Sequence, residues 1–365
     1  MKKVLVVGFT ENLGGVERLI YSYYKKINRN MIQFDFLVNV ENVPFRNEIE
    51  QLGGRFYVIP RKTQNFFAYK KGLHTFFKEH AMDYCTFWFN SNSLANLDYL
   101  VCAYKHGIEK RIVHSHNTME TRGKVYRLFH ELNKQRVLKS ATDYWACSED
   151  AGKFFFGEGI ILSPKFRVIN NAISLDEFAF DNEKRRIWRK KLGVDDNTVL
   201  YGNIGRLSYQ KNHEFLLESF HKLSSKPKKA RLVLIGTGEL ENMIKEKIAA
   251  LSLEDNVVLL GRQYDIPGIL QALDVFVIPS HYEGLPIAAI EAQAAGLPCV
   301  LSDTITRKVR LLDTCDYVSI QDADDWCDAM IVASKTKREY DAQAIKNAGY
   351  DITTEAQKLE EYLLS

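Results

Sequence analysis

The sequence predicts an α/β fold made of two similar halves, and three observations support it. Each half begins with an apolar strand that leads through a glycine-containing loop into a helix: residues 3–8 (KVLVVG) lead into FTENLGGVE, and residues 199–204 (VLYGNI) lead into GRLSYQKN. Short apolar strands then alternate with helices, which is typical of parallel sheets covered on both faces. The length, 365 residues, also exceeds what one core usually holds. Two Rossmann-like domains are therefore expected.

The individual elements follow from apolar runs and their periodicity. In the first half we expect further strands at 33–38, 55–59, 84–89, 111–114 and 143–147. In the second half we expect them at 231–235, 257–260, 274–278, 298–301 and 317–320. Helices are expected at 18–26, 65–80, 214–223, 326–333 and 354–364. The boundary between the halves falls near 172–195, where the composition changes from apolar to highly charged.

The composition excludes several classes of protein. Hydrophobic content of 46% and charged content of 26% are those of a soluble globular protein. The six cysteines are scattered, without a CxxC pair, so we expect reduced thiols in the cytoplasm and neither zinc nor a disulfide framework. A net charge of +3 gives no indication of nucleic-acid binding. The N-terminal apolar run ends by Phe9 without a cleavage site, and no segment approaches a membrane span of roughly 20 residues.

One short helix carries an unexpected carboxylate. The stretch SHYEGLPIAAIEAQAAGLPCV, residues 280–300, predicts a loop after a strand, with Pro286 in the first helical turn and Gly296 at the helix end. Glu291 lies among alanines and isoleucines, where a carboxylate is costly unless it is paired. Two hydroxyls of a vicinal diol such as ribose would satisfy it. A structural ion pair with a nearby Lys or Arg is the alternative.

Three further motifs follow strands. In GNIGRLSYQKNHEF, Arg206 and Lys211 suit a diphosphate, with Gly202 and Gly205 allowing close backbone approach, although a solvated basic loop is the alternative. In LGGVER, residues 13–18, backbone N–H groups could face a phosphate or sugar, or the glycines could form only a tight turn. In open parallel sheets ligands bind at the carboxyl ends of the strands, so we expect the site in a cleft between the domains.

The strand at 111–114 ends in a His-Ser-His repeat. His114 or His116 could hydrogen-bond a sugar hydroxyl, a phosphate or a transferring proton, and a buried histidine without a ligand is the alternative for either. A metal is disfavoured because no third ligand is evident. The acidic run DADD, residues 322–325, resembles a metal-binding pair, but a helix start explains it better. The helix at 65–80 is expected to cover the first sheet, with a position on a membrane surface as the alternative.

Together these motifs resemble the retaining glycosyltransferases of family 4, which have the GT-B fold. The resemblance rests on the Glu283–x7–Glu291 pair, GRLSYQKN, GGVER, VHSHN and FRVINNAISLDEF, and it extends over nearly the whole chain. HSHNT and LSDTI further resemble bacterial members that build capsule and exopolysaccharide repeat units. Ala172 and Ser174 depart from the family's Asn-Gly-Ile-Asp run, which concerns the interdomain turn and not the diphosphate or ribose motifs.

The resemblance implies a role for each matched residue. Glu291 would bind the ribose of a nucleotide sugar, and Glu283 would lie beside the donor sugar. The other implied donor-site contacts are Gly284 and Leu285 with the sugar and phosphate, Arg206, Lys211 and Gly15 with the diphosphate, and Gly261 and Arg262 with the base. His114 matches the family's histidine near the donor sugar, and His116 is the competing assignment.

The resemblance also implies an architecture and a reaction. Residues 1–175 would form the acceptor-binding domain together with the last helix, at about 350–365, and residues 176–349 would form the nucleotide-sugar-binding domain. Transfer would retain the anomeric configuration by front-side displacement, with no covalent nucleophile, no metal and no cofactor. The departing diphosphate oxygen would accept the acceptor's proton.

We therefore expect a cytoplasmic enzyme that uses a nucleoside-diphosphate sugar, in particular a UDP-sugar. The acceptor would be a lipid-linked saccharide presented at the inner membrane. The protein would bind that membrane peripherally, because its pI is about 8.3 and residues 61–80 and 122–139 are rich in basic and aromatic side chains. A Rossmann oxidoreductase is disfavoured because GxGxxG is missing after the first strand. A UDP-sugar epimerase and a non-catalytic nucleotide-sugar-binding protein are the remaining alternatives.

Overall fold

A computed structural model describes residues 1–118, 123–226 and 228–365 of the chain. The chain forms two compact units, one comprising Met1–Ile173 and Asp351–Ser365 and the other comprising Ser174–Tyr350. Each unit is a parallel sheet with helices on its faces, so the predicted α/β fold with two Rossmann-like domains is confirmed. Within the described residues, no helix combines the length and the apolar character needed to cross a bilayer.

The strands of the first unit are β1 (Lys2–Val7), β2 (Ile32–Val38), β3 (Arg55–Val58), β4 (Thr86–Ser91), β5 (Lys110–Ser115), β6 (Asp143–Ala146) and β7 (Phe166–Val168). Its helices are α1 (Gly15–Lys26), α2 (Arg46–Gln51), α3 (Phe66–His80), α4 (Asp98–Lys105), α5 (Lys124–Ser140), α6 (Glu149–Phe156) and, after the second unit, α15 (Ile352–Leu364). The strand order is β3-β2-β1-β4-β5-β6-β7, and every pairing is parallel. One face of the sheet is covered by α3–α6 and the other by α1, α2 and α15.

The strands of the second unit are β8 (Val199–Ile204), β9 (Ala230–Ile235), β10 (Val257–Gly261), β11 (Val275–Ile278), β12 (Cys299–Ser302) and β13 (Cys315–Val318). Its helices are α7 (Leu175–Phe178), α8 (Asn182–Lys191), α9 (His213–Ser224), α10 (Glu241–Ala250), α11 (Ile266–Ala272), α12 (Ile287–Ala294), α13 (Ala323–Ala333) and α14 (Ala342–Asn347). The strand order is β10-β9-β8-β11-β12-β13, again parallel throughout.

In both sheets the strand order reverses beside the first strand, between β1 and β4 in one unit and between β8 and β11 in the other. The loops that leave such neighbouring strands diverge at the carboxyl edge, and this is where ligands of open α/β sheets bind. The loops after β1, β4 and β5, and those after β8, β9 and β11, are therefore the ones whose side chains matter for function.

The C-terminal helix packs against the first unit, as expected. Its buried apolar residues, Ile352, Ala356, Leu359 and Leu363, belong to the same core cluster as α1 and the sheet residue Trp88. The carboxylate of Asp351 accepts hydrogen bonds from the backbone N–H groups of Thr353 and Thr354 and so caps the helix. The backbone N–H of Ile352 donates to the Ile173 carbonyl at 2.9 Å, which joins the two chain segments of this unit.

Two ambiguous sequence features have structural roles. In DADD, the side chain of Asp322 caps α13 by accepting a hydrogen bond from the backbone N–H of Asp324. The side chain of Asp324 forms an ion pair with Lys222 at 2.6 Å. The helix start therefore accounts for these acidic residues. Helix α3 buries Tyr69, Leu73, Phe76 and Phe77 against the first sheet, so it is a covering helix, although Phe66 and Phe67 at its start are exposed.

Candidate active site

The centre of the candidate site in the second unit is an ion pair between Lys211 and Glu283. Their Nζ and Oε1 atoms lie 2.5 Å apart, and the two side chains are only 16% and 8% exposed. Lys211 belongs to the loop after β8 and Glu283 to the loop after β11, so the pair joins the two loops at the reversal point of the sheet. The predicted diphosphate-binding lysine and the predicted sugar-site glutamate are in direct contact.

The carboxylate of Glu283 has further partners. Ser280 donates its hydroxyl to Oε1 at 2.8 Å, and Gln210 donates its amide to Oε2 at 3.1 Å. The backbone N–H of His281 also donates to the Gln210 carbonyl at 2.9 Å, and the rings of Tyr209 and His281 stack with centroids 4.5 Å apart. Both carboxylate oxygens of Glu283 are therefore held in position by neighbouring donors.

The stem of Lys211 lies across Gly205. A Cβ at Gly205 would come within 2.9 Å of Lys211 Cε, so the lack of a side chain at this position leaves room for the lysine stem. Packing explains the glycine at position 202, because a Cβ there would lie 2.2 Å from Leu273 Cδ1 in the interior of the unit. The expectation that Gly202 lets a ligand approach the backbone was therefore wrong.

Arg206 points elsewhere on the same edge. Its side chain is 73% exposed, and its Nε donates to the Glu239 carboxylate at 2.9 Å. Arg206 belongs to the same loop as Lys211, and its exposed side chain pairs with a residue of the loop after β9. An exposed guanidinium of this kind can change partners when an anion binds, because an exposed ion pair contributes little stability by itself.

The loop after β9 was missed by the sequence analysis. Gly236, with a φ of +139°, packs so tightly that a Cβ would lie 1.9 Å from the Gly205 carbonyl oxygen. Gly238 packs likewise on Leu207, where a Cβ would lie 2.2 Å from its carbonyl oxygen. The backbone N–H of Leu207 donates to the Thr237 carbonyl at 3.1 Å. In the sequence, the two glycines of GTGE, residues 236–239, directly follow a strand and could have predicted this close backbone contact.

Glu291 lies on the less buried side of α12. Ile287, Ala288 and Glu291 are partly exposed, whereas Ala289, Ile290 and Ala292 are buried. The premise that apolar residues enclose Glu291 was therefore wrong, because this residue lies on the partly exposed side of the helix. The enclosed polar residue of α12 is Gln293, which donates to the carbonyls of Ala289 and Val309 and accepts from the backbone N–H groups of Leu311 and Leu312.

The remaining predicted residues of this unit lie on the same edge. Gly284 and Arg262 are exposed, and Leu285 is half-buried. Gly261 has a φ of +66°, a left-handed conformation that favours glycine, and its carbonyl accepts the backbone N–H of Gly236 at 2.9 Å. The loops after β8 and β9 and the end of β10 are thus linked by main-chain hydrogen bonds.

The candidate residues of the first unit lie after β1 and β5. Gly15 is exposed at the start of α1, and a Cβ there would meet nothing within 4 Å. The loop before it is held by Glu17, which is 3% exposed and accepts from the Thr10 backbone N–H and hydroxyl and from the backbone N–H of Gly14. Glu17 in GGVER therefore shapes the loop, a role that a glutamate three residues after the N-cap could have suggested.

The two histidines of the His-Ser-His repeat differ sharply. His114 is fully buried, and its ring stacks on Trp88 with the centroids 5.9 Å apart. The ring of His116 is tilted by 41° against it with the centroids 4.1 Å apart, and neither nitrogen of the His114 ring has a hydrogen-bond partner among the described residues. Burial, together with the neighbouring His116, lowers the pKa of His114 well below its usual value. His114 is therefore a fully buried side chain of the first unit, and its contact with a donor sugar stays a prediction.

His116 lies at the end of β5 and is half-buried. Its Nε2 lies 2.9 Å from Asn90 Oδ1, and Asn90 donates its amide to the Val7 carbonyl at 3.4 Å. This second contact orients the Asn90 amide, so its oxygen faces the histidine and Nε2 must carry the proton. Burial lowers the pKa of His116 to about 3, so the ring is neutral and Nδ1 is a hydrogen-bond acceptor.

Comparisons with known proteins agree with this architecture. The family model of the glycosyl transferases group 1 matches residues 184–347 of the chain. The chain is 32% identical to the putative glycosyltransferase EpsF of Bacillus subtilis (strain 168), over 96% of this chain and 93% of that protein. It is 33% identical to an Escherichia coli UDP-Gal:alpha-D-GlcNAc-diphosphoundecaprenol alpha-1,3-galactosyltransferase over 47% of this chain and 46% of that protein.

The fold is also that of a solved structure, HepE of Anabaena in complex with UDP and glucose. The TM-score is 0.77 at 18% identity, and the alignment covers 100% of both chains. At this level of identity the similarity concerns the fold, whereas the EpsF match extends over almost the whole sequence. The chain therefore belongs to the glycosyl transferases group 1 and is a glycosyltransferase with a GT-B fold.

Proposed function

We propose that the protein transfers a sugar from a UDP-sugar to a lipid-linked saccharide during bacterial capsule or exopolysaccharide biosynthesis, with retention of the anomeric configuration. The observation that carries the proposal is the Lys211–Glu283 pair at the strand reversal, with Arg206 in the same loop as Lys211 and Glu291 at a partly exposed position of α12. Two cations and a carboxylate at a partly exposed helix position suit a diphosphate and a ribose diol. The E. coli relative named above uses UDP-galactose and a diphosphoundecaprenol-linked acceptor.

In this proposal Lys211 binds the diphosphate while Glu283 fixes its position. An ammonium group has three N–H donors, and Glu283 Oε1 takes one of them, which leaves donors for phosphate oxygens. Arg206 exchanges Glu239 for the diphosphate. When the bond between the anomeric carbon and the diphosphate breaks, its electrons remain on the leaving oxygen, and these cations stabilise that charge. The proposal requires no metal and no cofactor, because the two side chains supply the positive charge.

The acceptor hydroxyl forms the new bond on the face that the diphosphate leaves, and its proton passes to a diphosphate oxygen. No enzyme carboxylate has to attack the sugar, which agrees with the three hydrogen-bond donors around Glu283. His116 is neutral and offers Nδ1 as an acceptor, so we assign it to a sugar hydroxyl and not to acid catalysis. His114 supports His116 from the core.

The test is calorimetric titration of UDP, with EDTA present, into the wild type, Glu291→Ala and the exposed control Glu254→Ala. A hydrogen bond to a charged group contributes about 1.5–3 kcal/mol, so Glu291→Ala should weaken UDP binding by about tenfold or more. The control should bind like the wild type. Absence of UDP binding by the wild type, while GDP, ADP or dTDP binds, would mean that the donor carries another nucleotide.

Activity is tested with radiolabelled UDP-sugars and polyprenyl-diphosphate saccharides, and the anomeric configuration of the product is measured by NMR. Retention is expected. If the protein interconverts a free UDP-sugar with no acceptor present, it is an epimerase. If it binds UDP but neither transfers nor epimerises any sugar in the panel, it is a binding protein.

A further inference from the structure

Helix α5 exposes an apolar stripe although it is part of a folded unit. It buries His130, Asn133 and Val137 against the unit. Five large hydrophobic side chains are exposed instead, Tyr126 among them. The other four form the stripe, namely Val125 at 65%, Leu128 at 59%, Phe129 at 50% and Leu132 at 62%. Their spacing of three and four residues places them on one side of the helix, distinct from the buried side.

Cations accompany this stripe. Arg136 and Lys139 continue the same side by the same spacing, and Lys124 and Arg127 flank its first turn. The single acidic residue of α5 is Glu131, which pairs with Lys134 at 2.9 Å. The exposed side of α5 is therefore apolar along its first half and positively charged along its margins and second half.

A second exposed apolar pair lies in the same helical layer. Phe66 and Phe67 begin α3 with 50% and 82% of their surfaces exposed, and Lys70 and Lys71 follow one turn later. Helices α3 and α5 pack on the same face of the first sheet, with α4 contacting both. Each follows a parallel strand and runs back along the sheet, so both begin at its carboxyl edge.

We propose that the exposed side of α5, together with Phe66 and Phe67, docks on an anionic membrane surface. This rests on the proposed function, since a lipid-linked acceptor has to be reached at a membrane. An amphipathic helix with large apolar side chains on one side and Lys or Arg beside them lies in the plane of the lipid interface. Anionic headgroups complement the flanking cations.

A second copy of the chain fits this surface less well than a lipid leaflet does. A symmetric pairing would place the same patch of each copy against the other. The cations of α5 would then face each other, with only Glu131 as a counter-charge, and that carboxylate is already paired with Lys134. An anionic lipid surface has no such repulsion.

The experiment is co-sedimentation with vesicles of phosphatidylglycerol and phosphatidylcholine, or of phosphatidylcholine alone. The wild type should bind the anionic vesicles more tightly. Leu128→Ser/Phe129→Ser should weaken binding at least about tenfold through lost apolar contact, and Arg136→Glu/Lys139→Glu by a similar factor through lost charge attraction. All four side chains are exposed, so these variants should fold.

The matched controls lie in the second unit. Val332→Ser removes an apolar side chain that is 58% exposed on α13. Lys184→Glu/Lys190→Glu reverses two exposed charges on α8, a helix that is also basic. Both should bind vesicles like the wild type. Equal losses in the α8 and α5 charge variants would overturn the proposal, because binding would then follow overall charge.

Two further measurements separate the remaining outcomes. If light scattering shows a dimer that Leu128→Ser/Phe129→Ser dissociates, while vesicle binding is unchanged, α5 is an interface between copies and the proposal fails. UDP titration of every variant tests the proposed function independently. A wild type that binds UDP but not anionic vesicles refutes only the docking surface, whereas one that binds vesicles but no nucleotide refutes only the proposed donor.

Discussion

The Lys211–Glu283 pair gives the sharpest test of how the site is built. Its two charges are 2.5 Å apart, and each side chain is at least four-fifths buried. Removing one partner of a buried ion pair leaves the other charge uncompensated, which typically costs about 3–5 kcal/mol. Because Lys211 keeps 16% exposure, the lower end of this range, about 3 kcal/mol, is expected for Glu283→Gln.

Replacing both partners should cost less than the sum of the two single changes. Lys211→Met keeps the stem that lies on Gly205 but removes the charge, and Glu283→Gln keeps an oxygen for the hydroxyl of Ser280. In Lys211→Met/Glu283→Gln no charge is left buried. We therefore expect a coupling free energy of at least about 1.5 kcal/mol between the two positions, at the level found for residues in direct contact.

The assay is differential scanning calorimetry of the four proteins. The transition of the second unit is identified in the wild type as the one that UDP raises. For a unit of this size, 3 kcal/mol corresponds to a decrease in Tm of roughly 6–12 °C. If the double variant shows the sum of the two single decreases, the residues do not act as a pair and the interpretation of the site is wrong.

Nucleotide binding distinguishes the two roles of Lys211. If its ammonium group binds the diphosphate, Lys211→Met should weaken UDP binding more than uridine binding. A loss of about tenfold or more for UDP, with little change for uridine, is expected from one lost charged hydrogen bond. An equal loss for both ligands would mean that the substitution disturbs the site as a whole.

Four other predictions follow from contacts described above. Gly236→Ala should abolish UDP binding, because its Cβ would lie 1.9 Å from the Gly205 carbonyl oxygen. In Gly15→Ala the new Cβ would meet no atom within 4 Å, so the melting temperature of the first unit should not change. Titration calorimetry of the first variant and scanning calorimetry of the second check these two results. Asn90→Asp should raise the pKa of His116 from about 3, because a carboxylate favours the imidazolium, and NMR titration of the ring would show no change if Nε2 is not the partner. Burial, aided by Lys211, lowers the pKa of His213 to about 4, so the folded protein binds fewer protons than the unfolded chain below pH 6.5. Stability should therefore fall as the pH drops, by about 2 kcal/mol between pH 7 and 5 from this residue, and urea unfolding of His213→Leu should show a flatter dependence. Deleting residues 351–365 should destabilise the first unit by exposing its cluster around Ile352 and Leu359, while UDP still raises the melting temperature of the second unit; loss of both transitions would contradict this.

The sequence predicted the sheets better than the site. Strands β1 and β11 contain the continuous apolar runs VLVV and VFVI, a pattern that burial on both faces of a parallel sheet favours. Strand β7 was missed because Phe166–Val168 has only three residues, at the sheet edge, and periodicity cannot identify so short a segment.

Site details depended on contacts between distant parts of the chain. Whether His114 or His116 reaches the surface depends on Trp88, which is far away in sequence but stacks on His114. The pairing of Lys211 with Glu283 spans 72 residues, and spacing along the chain contains no information about it. Glu291 is an unusual residue in the sequence of α12, and it lies on the less buried side of that helix. The sequence does not show which side of α12 is exposed, because almost all of its residues are apolar.

The order of the segments along the chain has a consequence for synthesis in the cell. The first unit is interrupted: its final helix, α15, is made only after the whole of the second unit. While the ribosome is still translating, the second unit has all its residues, but the first has an open apolar surface where Leu359 and Leu363 will pack. Domains generally fold as units during translation. The unit that begins the chain is therefore the last to be completed, and prematurely terminated chains would expose this surface to chaperones and proteases.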